Sequence, residues 1–151
     1  AQRAAGNLNE QLSAEYNLAY LDFLELRHEQ ALAGLAHVRD AAEERGYPSL
    51  AALARLDRAE ILLRLGAHED ALKESREAVI ACGQLGLRYE TAKAELFGAL
   101  AAYRLGQPDA AWRRSMPKAI SRLRRGAARR QSTSDTGFRT VAAAQVRQCP
   151  R

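Results

Sequence analysis

The sequence predicts an all-α fold, an α-solenoid of about three antiparallel helical hairpins, on three observations. The chain is rich in Ala, Leu, Glu and Arg and sparse in Val, Ile and Thr, a mixture that favours helix over strand. Its apolar residues recur at offsets of three and four, the signature of one buried helix face. The pattern also returns every 40 residues: Ala19, Ala59 and Ala99 fall in register, as do Ala31, Ala71 and Ala111, and Gly46, Gly86 and Gly126.

Each element follows in order. Residues 1–8 are expected to fray, with Gly6 and Asn7 as breakers. From about Asn9 to Leu26, a helix face is marked by Leu12, Tyr16, Ala19, Tyr20, Phe23 and Leu24. His28-Glu29 opens a second helix to about Arg45, with Ala31, Leu32, Leu35 and Val38 inward. Gly46 suits a left-handed cap, and Ser49 is placed to cap the next helix. The third helix runs from about Leu50 to Leu65 and the fourth from about Glu69 to Leu85, with Gly66 between them. After Gly86-Leu87 a fifth runs from about Tyr89 to Leu105. Pro108 then sits in a turn, and a sixth helix begins at Ala110.

Pro117 breaks the pattern. It falls on the helix-interior position of Glu77, where a proline costs about 3 kcal/mol. The sixth helix is therefore expected to kink or stop near Met116, with a short basic helix over 118–130 and a linker at 131–137. The chain divides into a frayed N-terminus (1–8), a repeat domain (9–116) and a basic, partly disordered C-terminal segment (117–151).

Charge supports that division. Residues 1–110 carry 12 Lys/Arg against 17 Asp/Glu, whereas residues 111–151 carry 11 against the single acid Asp135. Cys82 and Cys149 have no motif spacing, and Cys82 reads as a small packed residue. No apolar run is long enough for a membrane span, and the N-terminal residues lack the apolar core of a secretory signal, so a cytoplasmic protein is expected. The missing initiator Met points to a fragment or a processed product.

The stretch LDRAEILLRLGAHEDALKESREAV, residues 56–79, sets the small residues Ala59, Ala71 and Ala78 where two helices press together. The first unit supplies Ala19 and Ala31, with Val38 third; the last supplies Ala99 and Ala111, with Lys118 departing. This pattern resembles the tetratricopeptide (TPR) family in a long-helix version, over about residues 10–115. The usual aromatic early in the first helix and the Pro ending the second are absent from the middle unit, and the period of 40 exceeds the family's usual one. LGAHEDALKESREAV and LGLRYETAKAELF also resemble the helical arrays of large bacterial regulators and of caspase-like CHAT proteases.

The TPR resemblance implies a concave groove lined by the first helix of each hairpin, offered to a peptide or partner protein within a larger protein or complex. By position this points to Asn17, Tyr20 and Phe23 in the first unit. In the second it points to Asp57, Glu60 and Arg64, and in the third to Lys93, Phe97, Tyr103 and Arg104. Uncapped ends of such a stack also favour self-association.

An alternative partner is nucleic acid or an anionic surface, bound by Arg122, Arg124, Arg125, Arg129 and Arg130. His28 and His68 occupy equivalent turn positions but lack the third and fourth ligands of a metal site. With no phosphate loop, nucleophile elbow or HExxH, no enzyme activity and no cofactor are expected.

Overall fold

The structure is a computed structural model in which residues 2–106 and 117–125 are described, with side chains from Leu8 onward. Five helices follow one another: α1 (Gln2–Leu24), α2 (His28–Glu44), α3 (Pro48–Leu65), α4 (His68–Gln84) and α5 (Arg88–Arg104). Residues 117–125 are helical as well (α6). Among the described residues there is no strand, and each of α1 to α5 packs on its neighbours in sequence, as in a solenoid.

The turns carry a shorter period than the sequence suggested. Left-handed backbone recurs at Leu26, Gly46, Gly66, Gly86 and Gly106, with φ of 64°, 75°, 79°, 68° and 67°. Four turns close the same way: the N–H of Arg27, Tyr47, Ala67 and Leu87 donates to the carbonyl of Asp22, Ala42, Leu62 and Cys82. That bond ends a helix in a Schellman motif. The carbonyl of the same residue then accepts from Ala31, Ala51, Ala71 or Thr91 in the next helix. One residue thus closes one helix and opens the next, so the chain reverses every 20 residues.

Three boundaries differ from expectation. Ser49 is not the cap of α3; Tyr47 holds that position without a side-chain cap bond, and Pro48 opens the helix, where its missing N–H is harmless. α1 begins at Gln2, so Gly6 and Asn7 lie inside it. One glycine costs about 1 kcal/mol, which neighbouring Gln, Arg and Ala offset. In α6 the period slips by one: Lys118, in register with buried Ala78, is exposed, and Ala119 is fully buried. The expected start of the sixth helix at Ala110, Ala111 of the motif and the linker at 131–137 lie outside the described residues.

The small residues sit at helix contacts as expected. Ala31, Ala59, Ala71 and Ala78 are wholly buried, and Ala19 and Ala99 nearly so. Gly34 of α2 presses on α1 so closely that an added Cβ would lie 2.8 Å from that of Ala19. Close approach of this kind needs Gly or Ala at the contact. Cys82 is buried, and that burial pushes its thiol up to about 12. No helix among the described residues is long and apolar enough to cross a membrane.

The stack has two layers. α3 touches both α1 and α5, so these three form one layer, whereas α2 and α4 barely meet. We call the layer of α1, α3 and α5 the inner layer and that of α2 and α4 the outer one. The wedge between α2 and α4 is a cleft of about 480 Å³ built from charge. At its floor Glu74, 8% exposed, receives Arg58 at 2.9 Å and Arg39 at 3.2 Å, with Arg55 at 3.6 Å. Arg58 also donates to the Leu32 carbonyl at 2.6 Å, Arg39 to Asp40, and Arg55 to Glu43 and Glu77. With those bonds made, the cleft joins the first hairpin to the second.

Candidate functional site: the face of α1, α3 and α5

The inner layer is where sequence reasoning placed the groove, and a connected polar network crosses it. Tyr16 of α1 is buried and its hydroxyl donates to Asp57 of α3. Lys93 of α5 reaches back to Asp57 at 3.8 Å and to Glu60 at 2.9 Å. Arg64, one turn beyond Glu60, binds it at 2.8 Å and lies over the Phe23 ring at 4.6 Å. The network therefore runs through all three helices of the layer.

The electrostatics follow from that contact list. Burial, and then the Asp57 carboxylate, raise the Tyr16 pKa well above that of free tyrosine. Burial alone would lower Lys93, but Asp57 and Glu60 outweigh it and hold its pKa above the ordinary lysine value. Asp57 is itself buried, and a buried carboxylate is tolerated only with such partners.

The ten predicted residues separate into floor and surface. Asp57, Glu60, Arg64 and Lys93 are brought together as described. Tyr20 is half-buried and meets Phe23 edge-on at 5.9 Å between ring centres. Phe97, also half-buried, lies under the Lys93 ammonium at 5.4 Å. Asn17 is half-buried. Phe23 is a core side chain, 3% exposed, and not an exposed anchor; from Tyr20 to Phe23 the helix turns its side chain into the first hairpin. Tyr103 is 71% exposed, and Arg104 beside it is exposed too. Tyr103 shares the register of Phe23 and Leu63, the side that turns into a hairpin, whereas Leu100 and Arg104 share that of Glu60 and Arg64.

Two features were missed. Tyr16 reads in sequence as an apolar-face residue, which it is, but its hydroxyl needs a partner and finds one 41 residues away. Glu74 and Ser75 lie on the buried face of α4 between Ala71 and Ala78. A charge on an otherwise small, apolar stripe is the signal that could have found the arginine cluster.

No family model, no curated protein and no solved structure matches this chain.

The remaining candidates sit elsewhere. Arg122 lies 3.6 Å from Glu95 of α5, and Arg125 bonds Ser121 one turn before it. Arg124 is exposed, while Arg129 and Arg130 lie outside the described residues. His28 and His68 each open a helix, and the described residues hold no cluster of three metal-ligating side chains.

Proposed function

We propose that the chain is a tetratricopeptide-like array whose α1/α3/α5 face holds a peptide or an extended segment of a partner protein. One observation carries this reading. Most polar side chains of that face are tied into a fixed floor, yet Leu100, 38% exposed, and Arg104 stand out beside half-buried Phe97. A half-buried aromatic, an exposed Leu and an arginine beside a rigid charged floor is the mixture that anchors protein partners. The outer cleft is a poorer candidate, because its arginines are already spent on Glu74, Asp40, Glu43 and Glu77.

The test is selection of random displayed peptides on the immobilised chain, followed by variant binding. Enriched peptides should bind the parent and weaken on Leu100→Ala and Phe97→Ala, but not on Lys73→Ala of the outer cleft. Peptides that ignore both inner-layer variants and respond to Lys73→Ala would overturn the reading.

A further inference from the structure

The two junctions of the inner layer differ at equivalent positions, and the difference describes a ligand. Where the first hairpin meets the second, Phe23 lies beneath Arg64 at 4.6 Å and against His28 at 6.0 Å. Arg64 is neutralised there by Glu60 at 2.8 Å. Forty residues on, where the second hairpin meets α5, the matching residues are Leu63 for Phe23, Arg104 for Arg64, His68 for His28 and Leu100 for Glu60. The aromatic ring has become a leucine, and the carboxylate has become a leucine.

Two consequences follow in the structure. A pocket of about 290 Å³ is open there, lined by Leu63, Arg64, Gly66, His68, Leu100 and Arg104. Four of those six, Leu63, His68, Leu100 and Arg104, stand 40 residues after Phe23, His28, Glu60 and Arg64 of the first junction. Arg104 is exposed and makes no ion pair among the described residues, whereas its counterpart Arg64 is paired.

We propose that this pocket takes an aromatic side chain flanked by an acidic one on a partner peptide, the ring copying Phe23 and the carboxylate copying Glu60. This rests on the peptide-binding reading of the α1/α3/α5 face and supplies the chemistry of its partner. The ring lies on Leu63 beneath Arg104, which attracts its face. The carboxylate takes the guanidinium bond that Leu100 cannot, a charge-assisted pairing stronger than a neutral one. Arg64 lies within the same pocket but stays bound to Glu60, so Arg104 is the cation that selects the acid.

Fluorescence anisotropy tests this with a labelled peptide, capped at both ends, that contains one Phe-Glu pair. The parent should bind it and bind its Phe-Gln and Ala-Glu analogues about tenfold or more weakly. Arg104→Gln should bind the Phe-Glu and Phe-Gln peptides equally. The double variant Leu63→Phe, Leu100→Glu rebuilds the first junction within the chain and should bind neither, while Arg104→Gln, a surface change, covers the case in which the double variant fails to fold. Equal binding of Phe-Glu and Phe-Gln by the parent overturns the proposal. So does Arg104-dependent binding confined to an uncapped peptide ending in Phe, which would assign the carboxylate to a chain terminus. Selected peptides that need Phe97 but ignore Arg104→Gln overturn it and leave the groove standing. Peptides that bind only through the outer cleft overturn the groove reading as well.

Discussion

The Tyr16 hydroxyl of α1 donates to the Asp57 carboxylate of α3, a bond between hairpins made inside the core. It holds the floor of the inner layer in one geometry, because Asp57 in turn faces Lys93 of α5. Tyr16→Phe should therefore destabilise the fold by about 1–2 kcal/mol, the cost of leaving a buried acceptor one partner short. Urea unfolding followed by circular dichroism reads this directly. Unchanged stability would mean that the bond contributes nothing.

The same pair gives a pH dependence of definite sign. The Tyr16 pKa is raised in the folded state by burial and by Asp57, so the native chain keeps a proton that the unfolded chain releases near pH 10.0. The Lys93 pKa is raised too, so its ion pairs are present below the unfolded lysine value and lost as pH rises through the folded one. Both contributions are whole at neutral pH and decline in alkali. Stability should fall from about pH 10 upward, and Tyr16→Phe should flatten that fall. A parent and variant with the same alkaline slope would contradict the assignment.

Leu26 is the one described turn residue with left-handed backbone that is not glycine. Its side chain is 72% exposed, so little packing offsets the strain. Leu26→Gly should raise stability by about 0.5–1 kcal/mol, since relief of the left-handed penalty exceeds the added freedom of the unfolded chain. The reverse change at an equivalent turn, Gly66→Leu, should lower it by about 1 kcal/mol. Thermal melts of the two variants should move in opposite directions.

Ala71 is fully buried at the start of α4, where only a small residue fits. Ala71→Leu should cost about 1–3 kcal/mol through overpacking. A melting curve indistinguishable from the parent would show that Ala71 is not a helix-contact residue.

Glu74 is the acid at the floor of the outer cleft. Glu74→Ala would leave Arg58 without its carboxylate, while Arg39 keeps Asp40 and Arg55 keeps Glu43 and Glu77, and should cost about 3 kcal/mol, most of it the penalty of the uncompensated, largely buried Arg58 charge. Guanidinium or urea denaturation would show the loss. A change within error would mean that Arg58 is solvated well enough to need no central acid.

The helices and their order were legible because three of the first four left-handed turn positions are glycines and the closest contacts are alanines. Leu26 hid the 20-residue turn spacing, since leucine does not announce a left-handed conformation. Ser49 misled because the turn is so tight that Tyr47 serves both helices. Sequence reasoning singled out Asp57, Glu60, Arg64 and Lys93, which the fold brings together, but it did not separate half-buried Tyr20 from Phe23 in the core. The Tyr16–Asp57 and Arg58–Glu74 pairs join residues 41 and 16 positions apart, and only the packed fold decides which polar atoms meet.

The most direct measurement of the central claim is site-specific photo-crosslinking to a selected peptide. A benzoylphenylalanine placed at Leu100 on the inner layer is compared with one at Ile80, an exposed residue of α4 in the outer layer. Crosslinking from Leu100 and not from Ile80 is the result expected of a groove on α1, α3 and α5. Crosslinking from Ile80 alone would contradict it.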